Sequence, residues 1–357
     1  MKIGFAIGKL NYSGAEKIAR YLIAALHEKG HEIGIMFFAT NKPYPEFDYA
    51  EQYFLSVKGN RLKRILTRNK HIAGIIKDAN FDVIISFGAI SNVHILRAAK
   101  KTGTPVIVCE RNSPIQDPPQ KGYRIMRSLL YPKAAGYVFQ TERIADYFGE
   151  KIKNKSKIIP NFIEEKYENF YRDDAENNMV ITARLDDNQK NISMLLRAFK
   201  TFSQDHDYRL YIVGDGPDEA KFKSYVEENG LSDKVIFTGR QNVMDYLKIA
   251  KIFVLPSHFE GMPNSLIEAL GSGLPSIATD CDGGGSAYLI EDHVNGILTP
   301  KNDEAAFLAA MRELADNAEL RRALSTEAYK INERLEFSGI IRMWTDYVEE
   351  VCVRSKK

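Results

Sequence analysis

Short apolar runs recur along this chain, with room for one helix between each run and the next. Because neighbouring residues within a run are all apolar, each run is expected to be a strand buried on both faces, which is typical of parallel sheets. After the first run, Ile18, Leu22 and Leu26 repeat at helical spacing and Gly30 ends the repeat. The pattern predicts an α/β fold made of β-α-β units. The runs are KIGFAIG, EIGIMFFA, DVIISFG, PVIVCE, GYVFQT, MVITARL, RLYIVGDG, VIFTGR, IFVLPS and PSIATD.

The length and the middle of the sequence indicate two domains. A chain of 357 residues exceeds what a single core usually holds. The polar segment EEKYENFYRDDAENN, residues 164–178, looks like a linker. We therefore expect two Rossmann-like parallel-sheet domains, over residues 1–163 and 164–338, facing across a cleft with ligands at the carboxyl ends of the strands.

Several classes of protein are disfavoured by composition. The sequence has no apolar run near the ~18 residues that span a bilayer, and its start reads as a strand and not as a signal peptide. Cys109, Cys281 and Cys352 are far apart, as expected of inert thiols in a reducing cytosol. No metal site is expected from the sequence.

Charge is distributed unevenly between the two halves. Residues 1–163 carry 26 Lys and Arg against 13 Asp and Glu, whereas the remainder carries 23 against 34. The basic half suits nucleic acid, anionic lipid headgroups or a phosphate-bearing substrate, unless the two halves simply attract each other. Nucleic acid is not expected, because RNP-type aromatic runs, zinc spacing and a helix-turn-helix signal are missing from the sequence.

Two loops of the sequence could hold phosphate without a standard nucleotide motif. GKLNYSGAEK is neither GxGxxG nor a P-loop, and VGDGPDEA lacks the third glycine. Ser13 and Gly14 open a helix whose first N–H groups could bind an anion, although a plain turn is the commoner meaning. Arg184 and Lys190, after the strand MVITA, could clamp a diphosphate unless Asp186 and Asp187 between them neutralise them.

The stretch SHFEGMPNSLIEALGSGLP contains two glutamates eight positions apart. Glu260 lies beside a glycine in the loop after a strand, a setting that suits hydrogen bonds to sugar hydroxyls. Glu268 has two interpretations that the spacing leaves open. It is either a ligand contact or the partner of Ser265 in a Ser-x-x-Glu capping box.

These segments together resemble the family-four retaining glycosyltransferases, which use nucleotide-sugar donors. The resemblance covers nearly the whole chain and implies the GT-B fold, with the donor on the second domain and the acceptor on the first. It also implies that a C-terminal helix, residues 339–357, crosses back onto the first domain. The matching segments are SGAEK, VFQT, IPNF, RLDDNQKN, VGDGP, FTGR, FEGMPNSLIEALGSGLPSIATD and DGGGSAYLIEDHVNGILTP.

The resemblance also implies roles for particular residues. In the donor site, Arg184 and Lys190 would contact the diphosphate, Glu268 would bind the ribose, and Arg240 would line the base pocket. Glu260 and the backbone of Met262, Pro263 and Asn264 would hold the donor sugar. The backbone N–H groups of Ser265, Leu266, Ser13 and Gly14 would bind phosphate, and Gly214 would let the donor approach closely. Fixed cations and helix N–H groups would stabilise the departing diphosphate without a metal. A UDP-sugar is favoured over a GDP-sugar. The alternatives are a sugar-nucleotide epimerase of the same fold or a non-catalytic basic binding protein.

The acceptor side departs from the family pattern. Many relatives have a histidine after the strand that corresponds to VIVCE, whereas this chain has Glu110, Arg111 and Asn112. Arg111 stays protonated and so cannot be a base, but it could bind an acceptor phosphate while Glu110 orients a hydroxyl. Alternatively, Arg111 only pairs with Glu110.

A basic amphipathic segment, residues 60–79, raises the question of a membrane. Its cations alternate with apolar residues, so it could lie on anionic lipid or turn its apolar side into the core. With the basic first half, it favours a peripheral protein on the inner, cytoplasmic face of the cell membrane. The expected acceptor is a glycan linked to a lipid diphosphate, used in cell-surface polysaccharide or glycoprotein glycan assembly.

Overall fold

The protein is described by a computed structural model that covers residues 1–8, 14–40, 42–55 and 61–355, with only the backbone described for 14–15 and 61–66. Contacts divide it into two compact units, Met1–Phe162 with Phe337–Lys357, and Ile163–Glu336. Short 3-10 helices occupy Pro45–Phe47 and Tyr131–Lys133.

The strands and α-helices alternate along both units. The strands are β1 Lys2–Ile7, β2 Glu32–Phe37, β3 Glu51–Phe54, β4 Val83–Phe87, β5 Val106–Cys109, β6 Gly136–Phe139, β7 Ser156–Ile158, β8 Asn178–Thr182, β9 Arg209–Val213, β10 Val235–Gly239, β11 Ile252–Leu255, β12 Ser276–Asp280 and β13 Ile297–Pro300. The helices are α1 Gly14–Glu28, α2 Arg61–Ala79, α3 Ala89–Ala99, α4 Lys121–Leu130, α5 Glu142–Tyr147, α6 Glu150–Lys153, α7 Asp187–Lys190, α8 Ile192–Phe202, α9 Glu219–Glu228, α10 Val243–Leu247, α11 Asn264–Gly271, α12 Gly285–Leu289, α13 Glu304–Asp316, α14 Ala318–Tyr329, α15 Ile331–Arg334 and α16 Phe337–Ser355.

Each unit is built on one sheet whose described strand pairs are all parallel. The first sheet has the order β3-β2-β1-β4-β5-β6-β7 and the second β10-β9-β8-β11-β12-β13. In both, the chain builds outward from a first strand and then returns to build on its other side, which is the doubly wound arrangement. The predicted fold class, two parallel-sheet α/β domains, is confirmed.

The last helix of the chain completes the core of the first unit. Trp344 of α16 is fully buried in the apolar cluster that also contains α1 and the central strands. The Tyr347 hydroxyl accepts the N–H of Tyr137 at 2.8 Å and donates to the carbonyl of Lys155 at 2.6 Å. Gly136 makes room for it, since a Cβ there would lie 2.6 Å from that hydroxyl. The C-terminal helix is therefore an integral part of the first unit.

The polar segment 164–178 was expected to be a linker, and this expectation is wrong. The N–H of Phe170 donates to the carbonyl of Ser272 at 2.9 Å, and the N–H of Tyr167 donates to the side chain of Asn332 at 3.0 Å. The segment thus packs along the second unit because its aromatic and backbone groups find partners there. The chain passes between the units at residues 162–163 and 336–337 instead.

The basic segment 60–79 forms helix α2, and its described half turns inward. Ile72 and Ile76 are fully buried among the side chains of the first unit's second apolar cluster. For this half the alternative interpretation, an apolar side in the core, is therefore the right one. Residue 60 and the side chains of residues 61–66 lie outside the description. Among the described residues, no helix combines the length and apolarity needed to cross a membrane.

Candidate functional site at the carboxyl edge of the second sheet

The predicted donor residues follow the ends of different strands in the second sheet. Because those strands are parallel, the loops that follow them lie along a single edge, where α/β proteins bind ligands. Gly214 and Arg240 directly follow β9 and β10, whereas Arg184 and Glu260 lie in the loops after β8 and β11.

A buried ion pair stands at this edge. The Lys190 ammonium lies 2.6 Å from Oε1 of Glu260, and the two side chains are only 13% and 7% exposed. The Ser257 hydroxyl donates to the same oxygen at 2.7 Å. The other oxygen, Oε2, accepts one long hydrogen bond of 3.4 Å from the Gln189 amide. Glu260 thus has one oxygen fully engaged and one with capacity to accept another donor.

Backbone contacts hold the Glu260 loop on both sides. The N–H of His258 donates to the carbonyl of Gln189 at 2.8 Å, and the N–H of Glu260 donates to the carbonyl of Asp282 at 3.0 Å. Gly285 also approaches the loop closely, since a Cβ there would lie 2.1 Å from the carbonyl oxygen of Gly261. The loop is therefore fixed between the segments before α8 and before α12, and the carboxylate has a defined position.

The aspartates beside Lys190 do not neutralise it. Asp187 accepts the N–H and the hydroxyl of Ser193 at 2.9 and 2.7 Å and the Lys221 ammonium at 2.7 Å. Burial alone would raise the pKa of Asp187, but the hydrogen bonds from Lys221 and Ser193 outweigh it and lower that pKa. Lys190 therefore has Glu260 as its partner. Arg184 is exposed and forms no ion pair with any residue in the described part of the chain.

Gly214 is required by the protein's own backbone. Its φ is +136°, and a Cβ would lie 1.9 Å from the carbonyl oxygen of Ala183. This contact alone explains glycine at 214, so the predicted approach of a donor is not needed to explain it and stays a prediction. Next to it, Arg240 is 79% exposed and pairs with Asp215 at 2.9 Å.

Helix α11 begins earlier than the capping-box interpretation requires. Its cap residue is Pro263, which has no side-chain cap, and Asn264 is the first helical residue. Ser265 is therefore already inside the helix, and of the two interpretations left open for Glu268 the capping box is wrong. The N–H of Leu266 donates to the carbonyl of Pro263 at 3.2 Å, so this predicted phosphate donor is already engaged within the helix.

The remaining predicted donor residues lie in two places. Met262 is 6% exposed, with its side chain in an apolar cluster of the second unit, and Glu268 is partly buried on α11. Gly14 is the first residue of α1, and Ser13 lies outside the described residues. Within the described ranges, no group of three or more His, Cys, Asp or Glu side chains could hold a metal ion.

At the carboxyl edge of the first sheet, Glu110 is completely buried. The Tyr131 hydroxyl donates to its Oε1, and the Asn92 amide donates to that hydroxyl at 2.9 Å. Burial raises the pKa of Glu110 to about 8, despite the opposing effect of the Tyr131 hydrogen bond. The alternative in which Arg111 pairs with Glu110 is wrong, because Arg111 donates to Asn161 instead.

Two polar side-chain atoms of Arg111 have no described partner. Its Nε and Nη1 are buried and have no hydrogen-bond partner among the described residues. Burial lowers the pKa of Arg111 to about 10, so the guanidinium remains charged at neutral pH. Further buried side-chain atoms without a described partner lie near the ends of the neighbouring strands. They are Ser86 Oγ within β4, Glu110 Oε2 and Ser113 Oγ after β5, and Gln140 Oε1 after β6.

Sequence reasoning missed the residues that position the charged groups. Gln189 and Ser257 both contact Glu260, and Tyr131 holds Glu110 from a segment 21 residues away. Ser257 had a usable signal, since it closes the apolar run IFVLPS, and Gln189 lies next to Lys190 in RLDDNQKN. No local signal identifies Tyr131, because only the folded chain brings it to Glu110.

Two doubly wound parallel-sheet units, with charged and glycine-containing loops at the strand ends, have the architecture of GT-B glycosyltransferases. Family models agree: residues 163–331 match the model described as glycosyl transferases group 1, and residues 12–167 match glycosyltransferase family 4. The chain belongs to the family-four glycosyltransferases and is a glycosyltransferase enzyme.

The chain is similar to several named enzymes over nearly its whole length. It is 27% identical to the GalNAc-alpha-(1->4)-GalNAc-alpha-(1->3)-diNAcBac-PP-undecaprenol alpha-1,4-N-acetyl-D-galactosaminyltransferase of Campylobacter jejuni, covering 98% of this chain and 99% of that protein. It is 25% identical to the lipopolysaccharide 1,6-galactosyltransferase of Escherichia coli, covering 88% and 89%.

Solved structures share the fold at lower identity. The lipopolysaccharide outer core galactosyltransferase WaaB, in its apo form, superimposes with a TM-score of 0.81 at 19% identity over 98% of this chain and 99% of that one. HepE of Anabaena, solved in complex with UDP, gives a TM-score of 0.81 at 15% identity over 98% and 100%.

Proposed function

We propose that this glycosyltransferase transfers a hexose or N-acetylhexosamine from a UDP-sugar to a glycan linked to a lipid diphosphate, with retention of configuration. The product would contribute to cell-surface polysaccharide or glycan assembly. Two comparisons support the chemistry: the Campylobacter jejuni relative is named for an undecaprenyl-diphosphate glycan acceptor, and the HepE structure contains UDP.

The observation that carries the donor side is the buried Lys190–Glu260 pair. An ion pair with so little exposure is costly to bury and adds little net stability, so its position at a ligand-binding edge suggests a functional use. Lys190 supplies positive charge for the departing diphosphate. Oε2 of Glu260 has capacity to accept a hydroxyl of the sugar.

The transfer itself needs charge stabilisation more than a base at the donor. The bond from C1 of the sugar to the diphosphate oxygen breaks, and C1 bonds to the acceptor hydroxyl oxygen on the same face. The hydroxyl proton passes to the departing diphosphate. Lys190, joined by the exposed Arg184, stabilises the negative charge that develops on the diphosphate. Glu260 holds the sugar in position and is neither the acid nor the nucleophile of a hydrolase.

On the acceptor side, Arg111 is the group to which we assign the acceptor's phosphate. A buried guanidinium with two unused nitrogens is costly unless an anion or water satisfies them. Glu110 is too deeply buried in this structure to touch an acceptor hydroxyl, which is the contact that the sequence had predicted. We assign it instead the role of holding the loop through its hydrogen bond with Tyr131. Asn112 accepts the N–H of Ser113 at 2.8 Å and shapes the same loop.

A thermal-shift panel of UDP-sugars and GDP-sugars, in the presence of a chelator, tests the donor assignment. We expect one UDP-hexose or UDP-N-acetylhexosamine to raise Tm, because a ligand that binds only the folded state stabilises it. A shift given only by GDP-sugars would contradict the choice of nucleotide. A shift that disappears with the chelator would contradict metal independence.

Transfer to polyprenyl-diphosphate glycans then separates the proposal from an epimerase of the same fold. A transferase needs the acceptor to consume the donor, whereas an epimerase converts the UDP-sugar alone. Arg111→Gln should raise KM for the acceptor by about tenfold and leave KM for the donor unchanged, since a charge-assisted contact to phosphate is lost. An equal effect on both substrates would contradict the phosphate role.

A further inference from the structure

Helix α4 has the reverse of the usual polarity for a surface helix. Surface helices normally turn their apolar stripe toward the core. Here Arg127 is 2% exposed on the inner side, whereas Ile125 and Leu129 are 62% and 66% exposed. These are the two most exposed large apolar side chains among the described residues.

The inward arginines have a structural reason. Arg127 donates to the carbonyls of Pro114 and Asp117 at 2.8 and 2.6 Å, and Arg124 donates to the carbonyl of Pro118 at 2.7 Å. They satisfy the backbone of a loop that has no strand or helix of its own. Because the inner side of α4 is used to hold this loop, the apolar side chains project outward.

The outward side continues beyond the two central residues. Lys121, Ile125, Leu129, Pro132 and Lys133 are all exposed, at spacings that place the first three on one side of the helix. A lysine thus lies at each end of an apolar ridge. Within residues 111–133 there are five Lys or Arg residues and one acidic residue, Asp117. A ridge with basic ends matches a surface that is anionic outside and apolar beneath.

The loop held by α4 adds a third apolar side chain and joins the ridge to the acceptor residues. Ile115 is 47% exposed and lies between Pro114 and Gln116, whose carbonyls accept hydrogen bonds from Arg127 and Arg124. The same loop starts at Arg111. A glycan carrier with its hydrocarbon in a bilayer and its diphosphate at headgroup level would therefore reach this loop from the membrane side.

We infer that the outer side of α4, with Ile115, docks on an anionic lipid bilayer. This inference rests on the proposed lipid-linked acceptor and gives it a membrane contact surface. A bilayer explains the exposed ridge better than a second copy of the chain. A symmetric contact would place the basic ends of one ridge against those of the other, and three side chains are fewer than a stable dimer usually buries.

Vesicle co-sedimentation with the full chain tests this docking. We expect binding to phosphatidylcholine vesicles that contain phosphatidylglycerol, and much weaker binding to phosphatidylcholine alone. Ile125→Gln/Leu129→Gln should lower the partition coefficient by about tenfold or more, because two inserted side chains are removed. Val294→Gln/Val353→Gln, which removes two exposed apolar residues elsewhere, should leave it within about twofold.

The basic ends are tested in the same assay. Lys121→Gln/Lys133→Gln should reduce binding and its dependence on salt, whereas Lys151→Gln/Lys157→Gln, also exposed in the same unit, should change it less. The inference would be overturned if neutral vesicles bound the chain as well as anionic ones. It would also be overturned if each control variant lost as much binding as the ridge variant with which it is paired. A dimer in gel filtration that Ile125→Gln/Leu129→Gln abolishes would overturn it as well, since the ridge would then join two copies.

The same variants separate this inference from the proposed function. Ile125→Gln/Leu129→Gln should keep the thermal shift with the UDP-sugar and the transfer to a short-chain acceptor in detergent. If the wild-type chain binds the UDP-sugar but does not bind anionic vesicles, the docking inference fails and the glycosyltransferase proposal stands. If no nucleotide sugar binds but Ile125→Gln/Leu129→Gln still lowers vesicle binding, the glycosyltransferase proposal fails and the docking inference stands.

Discussion

Glu110 and Glu260 lie in the same kind of place and have very different surroundings. Each follows a parallel strand at the carboxyl edge of its sheet, and the residues are 0% and 5% exposed. Glu260 has the Lys190 ammonium at 2.6 Å, whereas the side chain that donates to Glu110 is the neutral hydroxyl of Tyr131. Burial is thus similar, and the difference lies in the counter-charge.

The difference teaches which carboxyl group can serve an ionic ligand site. A buried carboxyl with no cation in contact keeps its proton to higher pH, and burial raises the pKa of Glu110 although the charge of Arg127 opposes it. Glu260 instead has the Lys190 ammonium in contact, and a charged ligand can reorganise such a pair. The second edge therefore suits a diphosphate sugar, and the Glu110 position in the first suits a supporting role.

The largest effect is expected on activity. Glu260→Gln should lower kcat/KM for transfer by about 100-fold, because a charged contact to the sugar and the partner of Lys190 are both lost. Glu110→Gln is the matched control, and we expect it to stay within about threefold of the wild type because the site is already neutral at pH 7. Steady-state transfer kinetics measure both. Similar losses in the two variants would contradict the distinction between the edges.

The next effect is on stability. Lys190→Met should lower the free energy of unfolding by about 3 kcal/mol, since it leaves the buried Glu260 without its cation. Denaturant unfolding of the single variant and of Lys190→Met/Glu260→Leu measures this. The double variant should recover most of the loss while remaining inactive. If the double variant is instead less stable than the single one, the pair stabilises the fold and its functional interpretation weakens.

The pH dependence of stability follows from Glu110. Its pKa is about 8 in the folded chain and near 4.5 when unfolded, so between these values the folded state binds more protons. The unfolding free energy should therefore fall as pH rises, by about 2 kcal/mol from pH 6 to pH 8 through this group. Glu110→Gln should remove that part of the slope. An identical pH profile for the variant would show that Glu110 is ionised in the folded chain.

The smallest effect is expected at an exposed pair on the second edge. Arg240 and Asp215 are 79% and 48% exposed, so solvent screens them. Arg240→Gln should change the free energy of unfolding by less than about 0.5 kcal/mol. Unfolding curves recorded beside those of Lys190→Met supply the comparison. Equal losses in the two variants would mean that burial does not distinguish these ion pairs.

The sequence predicted the central strands and missed both edge strands of the first sheet, β3 and β7. Runs such as DVIISFG are apolar throughout because the strand is covered on both faces. In contrast, β3 and β7 are short and only partly buried, so EQYF and SKI carry no comparable pattern. The C-terminal helix was placed on the first domain by family resemblance and not by any local signal.

Site residues could be predicted where a charged residue follows a predicted strand, as Glu260 and Arg111 do. The pairing of Lys190 with Glu260 could not be predicted, because it joins loops 70 residues apart and depends on the strand order. The sequence also did not predict the inverted polarity of α4, because Arg124 and Arg127 become inner residues only when the loop beneath them folds.

The most direct test is calorimetric titration of the wild type and Glu260→Gln with UDP and with the UDP-sugar found in the thermal-shift panel. If Glu260 holds the sugar and the cations hold the diphosphate, Glu260→Gln should weaken UDP-sugar binding by about tenfold or more and leave UDP within about threefold. Equal weakening of both ligands, or unchanged UDP-sugar binding, would contradict the assignment of the sugar to Glu260.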